Sequence, residues 1–168
     1  MSIEVRAITE GDIEGFREAL DSVAKEKRYL ASFVAPPIDR VTTFVLGNIA
    51  SNVSQFVALD GNQVIGWADI SPERAEAIKH IGSLGMGIVT GYRGQGIGKR
   101  LLVACVEKAQ QNGLTRIELQ VRVDNENAIE LYKKVGFQTE AVLADYLFMD
   151  GNYYDALQMS LVRRTHGN

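Results

Sequence analysis

Along the chain, apolar residues alternate with polar ones in short runs and elsewhere recur every three or four positions, so both strands and helices are predicted. Ser2 to Ile8 reads as a strand with Ile3, Val5 and Ala7 on one side. Thr9 and Asp12 form an N-cap pair, both side chains being expected to serve unpaired amides of a first turn. Behind them Ile13, Phe16, Leu20 and Val23 keep helical spacing. A loop is expected over 25–40, where Pro36 and Pro37 break regularity, and Thr42 to Ile49 predicts a short second helix. Ser54 to Leu59 and Gln63 to Ile70 predict a strand pair turning at Asp60-Gly61-Asn62, because glycine accepts the positive φ of a tight turn.

A polar link (71–79) leads to a strand from Ile81 to Val89. Gly94 to Asn112 predicts a helix with Leu101, Leu102, Cys105, Val106 and Ala109 on its apolar face, ended by Gly113. Thr115 to Val123 predicts a strand with Ile117, Leu119, Val121 and Val123 on one side. Asn127 and Glu130 resemble a capping box for a helix running to Val135, stopped by Gly136. Two last strands, 137–149 and 153–162, turn at Asp150-Gly151-Asn152. The order is βααβββαβαββ: an α+β fold with one mixed, mostly antiparallel sheet flanked by helices. Residues 1–168 are expected to form a single domain, without repeat or linker.

Composition narrows the function classes. With 46% hydrophobic and 23% charged residues the chain is of ordinary globular type. A net charge of -3 argues against binding nucleic acid by general phosphate attraction. No window has the length of a membrane span and no leader pattern opens the chain, so a cytoplasmic protein without membrane partners is expected. The lone Cys105 has no disulfide partner within the chain and reads as a buried structural thiol. His80 and His166 stand in polar or terminal contexts, and no metal site is expected.

The chemistry concentrates in Gly85 to Arg100, GMGIVTGYRGQGIGKR. A strand ends and a glycine-spaced turn opens a helix. Glycines let backbone approach a ligand closely, and the free amides of a helix start favour anions. Arg93 and Lys99 add positive charge, so a pyrophosphate is the natural guest. Neither the G-x-x-x-x-G-K-[ST] loop nor a dinucleotide G-x-G-x-x-G in a first βαβ unit fits this stretch.

The turn resembles that of the GNAT superfamily of N-acetyltransferases, whose [RQ]-x-x-G-x-[GA] is matched by Arg93, Gly96 and Gly98. A second family signature, N-x-x-A-x-x-L-Y-x-x-x-G-F, is matched from Asn125 to Phe137. The resemblance implies acetyl-CoA as cosubstrate. Backbone around Met86, Gly87 and Ile88 would pair with the pantetheine arm. Amides of Gly94, Gln95, Gly96, Ile97, Gly98 and Lys99, beside Arg93, would hold the pyrophosphate. Asn125 would bond the cosubstrate near the thioester, and Tyr132 would protonate the departing thiolate. With a reference pKa of about 10, against about 8.5 for a thiol, the phenol is protonated when the thiolate forms.

One position departs from the pattern. Relatives that acetylate ribosomal protein N-termini carry a base glutamate five residues before the asparagine; here that residue is Gln120. Either another carboxylate takes the amine proton through water, with Asp69, Glu73 and Glu118 as the candidates, or no dedicated base exists. An α-amine, with a pKa near about 8, needs less help than a lysine amine near about 10.4, which favours an α-amine acceptor. The tail from Tyr146 to Met159 is similar to that of bacterial enzymes acting on amino acids or related small amines. Tyr29, Phe33, Trp67, Tyr146 and Tyr153 either line an acceptor pocket there or are strand and core aromatics. The leading expectation is thus a small-molecule N-acetyltransferase acting on an amino acid or an amino-acid-like antimetabolite. A homodimer is common among the proteins that the chain resembles, although no segment here announces an interface. A protein N-terminal or lysine acetyltransferase and a non-catalytic acetyl-CoA-binding module are the alternatives.

Overall fold

The computed structural model describes residues 2–164, so His166 lies outside the described residues. Eleven strands and helices follow in the predicted order: β1 Ile3–Ala7, α1 Ile13–Ala24, α2 Ile38–Ala50, β2 Ser54–Asp60, β3 Gln63–Pro72, β4 Ile81–Ile88, α3 Ile97–Gln111, β5 Arg116–Arg122, α4 Glu126–Val135, β6 Gln138–Met149 and β7 Asn152–Val162. The strands form one seven-stranded sheet in the order β1-β2-β3-β4-β5-β7-β6. Among the described residues only β4 and β5 run parallel. No helix among the described residues is long and apolar enough to cross a membrane.

Alternation along the strands builds two cores, one on each face. On one face Ala68, Ile70, Ile117, Leu119 and Met159 pack under α3 with Leu101, Leu102 and Cys105. On the other, Val57, Val64 and Trp67 pack under α1 and α2 with Phe16, Val23 and Val45. Gly82 sits where β4 meets β5: a Cβ there would lie 2.5 Å from Ile70 and 2.8 Å from Leu114, so only glycine lets these layers close. Cys105 is fully buried beside the Ser54 hydroxyl, and its thiol is pushed up to about 12 by burial, which makes it the inert thiol expected.

Four local expectations are corrected. The second helix begins at Ile38, directly after Pro37, rather than at Thr42, because proline supports a helix start where its missing amide is not needed. Helix α3 begins at Ile97 rather than Gly94, since Gly94 and Gly96 take positive φ of 76° and 80°. The cap of α4 is Asn125, not Asn127; its side-chain oxygen accepts the Ala128 amide at 3.4 Å. Val123, placed inward by alternation, lies past the end of β5 and is exposed. Asp12 does bind the Thr9 amide, at 2.8 Å, and its carboxylate also takes both terminal nitrogens of Arg6, at 2.6 and 2.9 Å.

Burial works against the charge of Asp12, but the bonds from Arg6 and Thr9 outweigh it and hold the carboxyl below its ordinary value. Its stabilising share is therefore present above the ordinary carboxylate range and is lost as pH falls through the lowered value. Asp12→Asn is expected to cost about 1–2 kcal/mol at pH 7 in urea denaturation, the part-exposed Arg6 limiting the loss. That difference closes in acid, where the wild type loses the same charge.

Candidate active site

The site begins where a strand pair ends. β4 and β5 are paired only from Ile81↔Arg116 to Ser83↔Glu118, whereas β4 stays paired to β3 as far as Ile88↔Gly66. Beyond Ser83 the two parallel strands diverge. Across the β3–β4 ladder, the Glu73 amide reaches the Ile81 carbonyl and the Val89 amide the Ile65 carbonyl. Odd-numbered residues of β4 therefore bond to β3, and the alternation of an antiparallel pair turns the polar backbone of Leu84, Met86 and Ile88 toward the gap. The Ile88 carbonyl is taken by Arg93 Nε at 2.9 Å. Met86 thus offers both amide and carbonyl to whatever enters, while the backbone of Gly87 faces Trp67 on β3.

At the same end of β4, the chain turns through Gly91, Gly94 and Gly96, all at positive φ, into α3. No amide from Gly94 to Gly96 donates to a backbone carbonyl among the described residues. Those of Ile97, Gly98 and Lys99 open the helix and have no partner within it. Gly98 also joins the parts: a Cβ there would be 3.3 Å from Leu131 of α4 and 3.8 Å from Met86. The absence of a side chain lets both helices and β4 meet. Arg93 does not point its charge freely at this turn, because Glu26 at the end of α1 grips both terminal nitrogens, at 2.9 and 2.6 Å.

Tyr132 projects from α4 toward Phe137, just beyond the helix end, with ring centroids 5.8 Å apart. It is 9% exposed, and burial pushes its phenol up to about 12. The phenol oxygen bonds to nothing among the described residues and stays protonated throughout the neutral range. Asn125 caps the same helix, so its oxygen is committed and its amide nitrogen remains available.

The opposite face of the sheet, toward α1 and α2, carries the remaining candidates. Gln120 bonds Gln158 at 2.7 Å. Glu118 is tied to Arg116 at 2.7 Å, and the same arginine also grips Glu140. Glu73 is exposed and sits opposite Ile81, at the closed end of the β4–β5 pair. Asp69 pairs in register with Gly85, past the point where β5 leaves, and its carboxyl is pushed up to about 7 by burial. Trp67, expected among the acceptor-pocket aromatics, is a core residue, 2% exposed and edge-on to Phe16. Tyr29 and Phe33 lie in the α1–α2 loop, where Tyr29 carries Arg93 over its ring at 4.6 Å. Tyr146 and Tyr153 stand exposed on the last hairpin. The sequence reading missed Arg122, stacked 3.9 Å from Tyr154 and bonded to Asp124. Its signal is its place in the alternation of β5, which puts it on the face of Glu118 and Gln120, opposite Val121.

A gap between parallel strands, edged by free peptide groups and ending in a nest of free amides, defines a site for an extended ligand with amide bonds and phosphates. The chain belongs to the acetyltransferase (GNAT) family, whose model matches residues 21–137. It is 30% identical over 112 residues, 66% of this chain and 69% of the other, to the L-amino acid N-acetyltransferase AaaT of Escherichia coli. The fold matches yncA of Salmonella typhimurium, a putative acetyltransferase solved with acetyl-CoA, with a TM-score of 0.92 at 16% identity over 100% of this chain and 98% of that one. It also matches a phosphinothricin acetyltransferase from Sinorhizobium meliloti in complex with acetyl-CoA, with a TM-score of 0.89 at 21% identity over 97% and 89% of the chains. The family, the α+β architecture and the N-acetyltransferase class expected from the motifs are those found.

Gly87 supplies a direct check on the site wall. A Cβ at this position would lie 2.4 Å from the Trp67 ring, so Gly87→Ala must displace that indole. A loss of about 1–3 kcal/mol is expected. Because Trp67 is the chain's single tryptophan, its fluorescence spectrum should shift in the folded variant.

Proposed function

We propose that this chain transfers the acetyl group of acetyl-CoA to the α-amine of a free amino acid or an amino-acid-like small molecule. The observation that carries the reading is the open edge of β4 at Met86, running directly into the free amides of the turn before α3. The pantetheine arm fits the first as a short extra strand, and the pyrophosphate fits the second. In this reading Met86 pairs with the arm, the Ile88 amide adds a donor, and Gly87 serves by lacking a side chain. Residues Gly94 to Lys99 hold the phosphates. The free amide nitrogen of Asn125 donates near the thioester. A small acceptor is favoured by the likeness to an L-amino acid N-acetyltransferase and by the neutral Gln120.

Tyr132 stands on the α4 side as the donor to sulfur. Its raised pKa sharpens that role and limits it. Full proton transfer from a phenol at about 12 to a thiolate whose acid has about 8.5 runs uphill by about 5 kcal/mol. The phenol therefore works by donating a hydrogen bond as negative charge builds on sulfur, and the proton crosses only as the nitrogen gives one up. The expected homodimer belongs to the same reading: Val142, Tyr146, Phe148 and Tyr153 leave an apolar surface on the β6–β7 hairpin, and light scattering would measure the mass.

Binding and chemistry can be tested separately. Acetyl-CoA at a hundred times its dissociation constant should add about 2.7 kcal/mol and raise the melting midpoint by several degrees, with little response to ATP. No shift would remove the cradle role of Met86 and Gly94 to Lys99. Tyr132→Phe should keep that shift and lower thiol release with L-amino acids by about a hundredfold. Unchanged turnover would remove Tyr132 from the chemistry.

A further inference from the structure

An ammonium must lose a proton before its nitrogen can attack a thioester, and position 120 holds no carboxylate to take it. We propose that Asp69 is the general base of this enzyme, its carboxylate taking that proton from the incoming amine on the α1–α2 face of the sheet. The inference rests on the acetyl-transfer reading above. Asp69 is in register with Gly85 and therefore shares its face of the sheet, the same face as Trp67 and Gly87. Gly85 lies two residues beyond the last β4–β5 pair, at the mouth of the gap. On this face β4 presents Gly85 and Gly87, so no side chain stands between the Asp69 carboxylate and the gap one strand spacing, about 4.8 Å, away. A Cβ on Gly85 would come 3.5 Å from Asp69 Oδ1, which shows where the carboxylate points.

The surroundings suit a base rather than a structural anchor. Among the described residues no cation or donor pairs with Asp69, although part of its surface stays open. Its register partner on β2 is Gln55, 2% exposed, whose side-chain nitrogen is buried without a partner. The Gln55 oxygen is occupied by Asn48 of α2 at 2.9 Å. An orphaned donor beside an unbonded carboxylate is a polar pocket in an otherwise apolar layer. The flanking groups Gln55, Gly85 and Trp67 are neutral, as is the Cys105 thiol across the sheet. Burial alone raises the carboxyl, to about 7, which matches a base that works near neutrality. Glu118 is neutralised by Arg116, and Glu73 lies at the closed end of the strand pair.

The protons balance. The ammonium gives one to Asp69, and the freed lone pair forms the C–N bond to the acetyl carbon. The C–S bond breaks with its electrons on sulfur, which takes a proton from Tyr132. A second nitrogen proton restores the phenol, and Asp69 returns its own to water.

The test compares wild type with Asp69→Asn, which is isosteric. Thiol release from acetyl-CoA is followed from pH 5.5 to 9 with the common L-amino acids as acceptors, together with acetyl-CoA affinity and melting midpoints over the same pH range. A folded carboxyl raised above its unfolded value stabilises below the unfolded value and loses that share as pH rises through about 7. Asp69→Asn should therefore melt higher than wild type across this range, by a margin that grows as pH rises to about 7 and stays constant above it. It should also bind acetyl-CoA unchanged, lose turnover by about a hundredfold or more, and lose the rising limb of the rate profile near neutrality. Turnover equal to wild type with the same limb overturns the inference alone. A wild type that acetylates none of the amino acids overturns the acceptor reading, and this one with it.

Discussion

Everything at the site depends on a strand pairing that stops early. β4 and β5 meet for three residues and then separate, although each continues and stays paired on its other side. A parallel pair is held by the same peptide groups that a ligand would use, so ending the pair creates the binding edge without further machinery. Gly82 locks the closed end through its contact with Ile70 and Leu114. Met86 and Ile88 lie on the open stretch. The helices take up positions from there: α3 begins at the end of β4, and α4 reaches it through Leu131 against Gly98.

The gap also divides the chemistry. Tyr132 and Asn125 belong to α4 on one face, whereas Asp69, Gln120 and the α1–α2 loop lie on the other. In the proposed reading, a thioester threaded between the strands would be approached by the acceptor from the far side of its leaving group, which would keep the proton donor and the proton acceptor apart. The α1–α2 loop is joined to the glycine turn before α3 through Glu26, Arg93 and Tyr29.

Two aspartates show how differently the fold treats charge. Asp12 is buried but held by Arg6 and Thr9, and its carboxyl is driven down. Asp69 has no such partners, and its carboxyl is driven up. The first is an ordinary structural ion pair. The second costs stability whenever it ionises, and such a cost is expected where function requires it.

Local pattern carried a large part of the design. Element order, the turns at Gly61 and Gly151, the helix stop at Gly136 and both family motifs depend on neighbours a few residues apart, so they are legible along the chain. Helix starts were misplaced where one residue's conformation outweighed periodicity, as at Pro37, Gly96 and Asn125. The rest comes from pairing between distant strands. Alternation along β4 cannot tell which of Met86 and Gly87 turns its peptide toward the gap; the ladder with β3 does. Trp67 had the look of a pocket aromatic until α1 covered it. In the sequence Asp69 is equivalent to Glu73 and Glu118 as a carboxylate, and Gln55 carries no mark at all. Their significance arises because hydrogen-bonded register sets residues 55, 69 and 85 side by side, a relation between chain segments that no local spacing encodes.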